Sequence, residues 1–74
     1  MSTRAARSVR EGSVVDFDAH RGIGALRTPE GDTFPFHCTR IADGSRTVTV
    51  GASVHFEVAP GPLGRWEAVE VAPS

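Results

Sequence analysis

The apolar residues of this chain come in short runs, each cut off by turn residues before a long helix could form. The runs are Ser13 to Asp18, Ile23 to Thr28, Thr33 to His37, Ser53 to Ala59 and Trp66 to Val71. Between them stand Arg21-Gly22, Pro29-Glu30-Gly31-Asp32, Asp43-Gly44-Ser45 and Pro60-Gly61-Pro62-Leu63-Gly64, rich in the residues that build tight reversals. Within the runs, Val14, Phe34, Phe36, Val54, Phe56, Val58, Val69 and Val71 alternate with polar neighbours. A period of two buries one face of a strand, and no helical period competes with it. The pattern predicts five strands, no helix of useful length, and a small antiparallel barrel, because closure removes exposed sheet edges.

The chain has 74 residues, enough for one domain whose core must be compact. Its one cysteine, Cys38, forms no internal bridge, and no apolar run approaches the roughly 20 residues that span a bilayer. Residues 1–10 lack the apolar stretch of a secretory signal, so the expected setting is the reducing cytoplasm. Those residues also lack periodicity and hold Arg4, Arg7 and Arg10, which suggests a flexible basic arm ahead of a folded domain over 11–74. The net charge is -1 and all 8 basic residues are arginine. Residues 11–74 carry five arginines against nine acids, a balance of -4. A body of that sign is poorly suited to holding nucleic acid by charge alone, since phosphate neutralisation and counterion release call for clustered cations.

Two segments carry more specific information. Arg21-Gly22-Ile23-Gly24-Ala25-Leu26 is followed about a dozen residues later by Phe34-Pro35-Phe36-His37-Cys38. With Gly12-Ser13-Val14 and Phe17 upstream, and Arg46-Thr47, Gly51 and Val54-x-Phe56-x-Val58 downstream, the order resembles the bacterial cold-shock domain over roughly Gly12 to Val71. That resemblance implies a five-stranded antiparallel OB-type barrel that binds single-stranded RNA or DNA, with the motifs K-G-F-G-F-I and V-F-V-H-F on its second and third strands. Both glycines of the first motif are present here, but its two outward phenylalanines are replaced by Ile23 and Ala25. Anchoring the second motif on His37 and Ile41 turns Phe34 and Phe36 inward and leaves Pro35, His37 and Cys38 toward the binding face. Asp16 stands where the family has a tryptophan, with Phe17 and Asp18 beside it. The other register, anchored on Asp32, exposes both phenylalanines and buries Thr33 and Pro35, a poor core for so small a domain.

Stacking a base on an aromatic side chain contributes about 1 to 3 kcal/mol. Asp16, Ile23, Ala25, Pro35 and Cys38 occupy the stacking positions, so the loss is about 5 kcal/mol even at the low end, more than a thousandfold in affinity. What remains for nucleic acid is cationic. Arg21 stands at the family's lysine position, Arg46 matches a basic residue beyond the third strand, and Arg40 and Arg65 lie at loop edges. A guanidinium grips phosphate and also lies flat on a base. The opposing reading pairs these arginines with Asp18, Asp43 or Glu67. The nucleic-acid candidates are therefore Phe17, Arg21, His37, Arg46, Arg65 and Trp66, with Trp66 serving either as a displaced stacking platform or as a lid on the barrel. The segment Gly64 to Val71 has one residue more than the family pattern, which predicts a bulge there.

No catalytic residues are expected: the sequence has no nucleophile elbow, and Gly22-x-Gly24 is too short for a dinucleotide fingerprint. No cofactor is implied. His37 and Cys38 are adjacent, and His20 and His55 show no ligand spacing, so no metal site is expected. Two functions stay open: weak binding of single-stranded nucleic acid with little sequence preference, and docking of a protein partner on the small apolar face of Ile23, Ala25, Pro35 and Cys38.

Overall fold

The computed structural model describes residues 9–61 and 64–74. Its strands are β1 (Arg10–Asp18), β2 (Ile23–Arg27), β3 (Thr33–His37), β4 (Ser53–Pro60) and β5 (Trp66–Pro73), and a 3-10 turn covers Cys38–Arg40. All pairings are antiparallel, and the spatial order is β3-β2-β1-β4-β5. The two outer strands are drawn together by a parallel bridge between Ile41 and Val71, where the Ala42 N–H donates to the Val71 carbonyl at 2.8 Å. This is the five-stranded antiparallel barrel that the alternation predicts. Of the arm expected over residues 1–10, residues 1–8 lie outside the described residues. Arg10 is already strand, its Cα opposite that of Phe56.

The inward side of β1, β2 and β3 is built in rows. Val14, Leu26 and Phe34 form one row, and Phe17, Gly24 and Phe36 form the next. A Cβ on Gly24 would stand 2.7 Å from both the Phe36 ring and the Asp16 carbonyl oxygen. Its absence lets Phe17 and Phe36 stack across it, with ring centroids 6.0 Å apart and planes within 9°. Leu26, Phe36, Val14 and Phe56 are buried together with Ile41, Val54, Ala68 and Val71. Full burial of such side chains, at about 1.5–3 kcal/mol each, is the main drive for closing the barrel.

Two bulges set which residues face out. In β1, Val14 opposes Leu26 and Asp16 opposes Ala25, so Val15 is the extra residue and is exposed. In β5, Ala72 opposes His55 and Val69 opposes Glu57, which leaves Glu70 and Val71 both facing Phe56. Glu70 accommodates this with a φ of 53°. The predicted bulge in this segment is therefore present, and it corrects one expectation. Simple alternation puts Val69 and Val71 on one face, whereas the inserted residue turns Ala68 and Val71 to the core and Val69 away.

Candidate nucleic-acid interface

The outward side of the same three strands is also built in rows: Asp16, Ala25 and Pro35 in one, Asp18, Ile23 and His37 in the next. An open groove of about 440 Å³ runs over them, lined by Asp16, Ile23, Pro35, His37, Arg40 and Glu67 among others. The β1–β2 turn is held beside it by local hydrogen bonds. The Asp18 carboxylate accepts the N–H groups of His20 and Arg21 at 3.0 and 3.1 Å, and Gly22 completes the reversal at a φ of 72°. The Gly22 carbonyl accepts the Cys38 N–H at 2.7 Å, fastening this turn to the end of β3.

The register anchored on His37 holds. Phe36 is buried, Phe34 packs against the core with its ring 5.9 Å from that of Phe56, and Thr33, Pro35 and His37 face solvent. His37 Nδ1 lies 3.2 Å from Thr39 Oγ1. Two residues depart from expectation. Cys38 does not join the outer face: β3 ends at His37, and the 3-10 turn that follows rotates Cys38 against the core. Phe17, expected as one of two rings left for bases, points inward because Asp16 before it points outward, and one of its faces is taken by Phe36.

Trp66 is 59% exposed at the start of β5, opposite Pro60, so it is no lid on the core. Arg65 precedes it and is exposed, as are Arg21 and Arg46. Arg46 holds a left-handed φ of 65°, uncommon for a residue with a side chain. The expected pairing of these arginines with Asp18, Asp43 or Glu67 does not occur among the described residues. Asp18 is occupied by backbone N–H groups, and Asp43 by the Ser45 N–H at 2.9 Å. The backbone and side-chain hydrogen bonds from Ser45 hold the Asp43 carboxyl below its ordinary value. Neither the Asp16 nor the Glu67 carboxylate has a hydrogen bond or ion pair within the described residues.

The candidate residues thus divide. The Gly22–Cys38 bond brings the turn carrying Arg21 to the His37 end of the groove, while Glu67 of the far wall is followed back along β5 by Trp66 and Arg65. Arg46 belongs to the connection over 42–52 and is not among the groove's lining residues. Sequence reasoning missed two features: the presence of Glu67 in the groove wall, for which no linear motif exists, and the Arg10 guanidinium 5.6 Å from the centre of the Phe34 ring.

A closed five-stranded antiparallel barrel with this order, a 3-10 turn after β3 and an open face on β1–β3 is a cold-shock-type OB barrel. Among solved structures it is similar to drosophila Unr CSD456, with a TM-score of 0.77 and 24% identity. The match covers 96% of this chain and 29% of that one, so the domain spans less than a third of that chain's length. No protein-family model and no curated protein matches the sequence.

Proposed function

We propose that this domain binds single-stranded nucleic acid weakly and with little sequence preference. The observation that carries the reading is the exposed Trp66 ring beside Arg65, on a cold-shock-type barrel whose arginines at 21, 46 and 65 have no acidic partner among the described residues. Free guanidinium groups are available to phosphate, and an exposed indole offers a stacking face to any base. His37 adds a hydrogen-bonding edge on the sheet. The reading is of a binding module and not an enzyme, acting in the cytoplasm. Affinity is limited by the outer face: Asp16, Ile23, Ala25 and Pro35 place no ring there, a deficit of about 4 kcal/mol at about 1 kcal/mol per lost stack.

The test is titration of a labelled single-stranded oligonucleotide at two salt concentrations, followed also by the fluorescence of Trp66. Binding in the micromolar range or weaker is expected, falling steeply as salt rises. Arg21→Ala and Arg46→Ala each weaken it with little dependence on base sequence, and RNA and DNA strands behave alike to first order. Absence of binding by the full chain at low salt overturns the reading.

A further inference from the structure

The groove over β1–β3 has a chemistry that its rim does not share. Its floor is aliphatic, with Ile23 38% exposed beside Pro35, and the Phe36 ring beneath them is buried. Its walls include Asp16 and Glu67, whose carboxylates are unpaired among the described residues, that of Glu67 lying against Gly61, and one guanidinium, Arg40. Arg21, Arg46, Arg65 and Trp66 do not line it. A nucleotide strand laid in this groove would find only the His37 imidazole for its bases and two like charges for its phosphates. The body of the domain has the same bias, with five arginines against nine acids over residues 11–74.

We infer that the groove docks an extended segment of a partner protein bearing aliphatic and basic side chains. An aliphatic side chain covers Ile23 and Pro35, and lysine or arginine side chains reach Asp16 and Glu67. Both halves of the match come from the lining: apolar floor to aliphatic chain, free carboxylate to cation. Charge complementarity sets the orientation and the rate of encounter more than the depth of binding, so the contact is salt-sensitive and modest in affinity. The inference is separate from nucleic-acid binding by the rim arginines and Trp66, which do not line the groove; His37 is the residue the two surfaces share.

The experiment uses the full chain and two probes, a short labelled peptide of interspersed leucine and arginine, and a single-stranded oligothymidine. Asp16→Asn combined with Glu67→Gln weakens the peptide by about three- to tenfold, as expected for two exposed ion pairs, and leaves the oligonucleotide within about twofold. Arg21→Ala with Arg65→Ala does the reverse. A peptide in which glutamate replaces arginine binds more weakly than either. Backbone amide shifts on adding the arginine peptide to the unmodified chain map to Asp16, Ile23 and Gly24, a readout independent of any variant. Peptide affinity indifferent to the double charge variant, or amide shifts confined elsewhere, overturns the inference, as does an oligonucleotide that moves those same amides. Loss of oligonucleotide binding with the peptide retained overturns only the nucleic-acid reading.

Discussion

The two sides of β1–β3 are written by alternate residues of the same short segments, and they obey different rules. Inward stand Val14, Phe17, Leu26, Phe34 and Phe36, packed in rows with Gly24 leaving space for the rings. Outward stand Asp16, Ile23, Ala25, Pro35 and His37, with no aromatic ring among them apart from the histidine. The contrast teaches that fold and ligand are specified almost independently here. A period-two strand confines each requirement to its own residues, so the outer chemistry can change from rings to carboxylates and aliphatics while the barrel closes in the same way.

The largest effect that tests this contrast is on stability. Phe36→Ala removes a ring that is 2% exposed and stacked on Phe17, and the expected cost is about 3–5 kcal/mol. At about 0.05–0.15 kcal/mol per residue, a domain of 74 residues holds only about 4–11 kcal/mol, so this variant is close to unfolding. Pro35→Ala, one residue away on the other side, changes stability by about 0.5 kcal/mol or less. Urea denaturation of both variants measures the difference. Equal costs would erase the distinction between the two sides.

How far the sequence could be read follows the same division. Strand positions and the burial of Phe36 were legible because alternation and turn residues are local signals, and His37 fixed the register of β3. Val69 was misplaced by that same rule: the extra residue in Gly64 to Val71 announces a bulge but not its position, and its seat at Glu70 resets the alternation. Cys38 was misplaced because the point where a strand ends is settled by tertiary bonds, here by the Cys38 N–H donating to the Gly22 carbonyl as β3 gives way to the 3-10 turn. For Phe17, the register that put Asp16 outward already implied the inward ring. Glu67 in the groove wall was beyond reach, since it meets β1–β3 only through closure of the barrel.

A smaller effect probes the outer face directly. Ile23→Phe and Ala25→Phe, made singly, place a ring at a position where the barrel geometry already points a side chain outward. Each tightens single-strand binding by up to about 1–3 kcal/mol if a base stacks on it, and each leaves the urea midpoint nearly unchanged because neither side chain belongs to the core cluster. Titration with one oligonucleotide at fixed salt reads the first quantity. Tightening without loss of stability sharpens the separation of fold from ligand. A ring that destabilises the barrel or leaves affinity unaltered breaks it, and says that Asp16 and Glu67 keep the strand out of the groove whatever its floor offers.

The smallest effect concerns a place where a charged residue serves the inner side. Phe34 is only half-buried, and the Arg10 guanidinium lies 5.6 Å from its ring centre. Arg10 is itself exposed, so the cation–π attraction belongs at the low end, about 0.5–1 kcal/mol. The arginine stem also shields part of the ring from water, and the two contributions are separable. Arg10→Met keeps an unbranched apolar stem and removes the charge, whereas Arg10→Ala removes both. If the charge matters, Arg10→Met lowers the urea midpoint and the deficit shrinks as salt screens the native interaction. If cover alone matters, Arg10→Met matches the unmodified chain and only Arg10→Ala is weaker. Either result keeps Phe34 an inner-side residue. A Phe34→Ala variant as stable as the unmodified chain would instead show that the edge of the core stops at the row of Phe36.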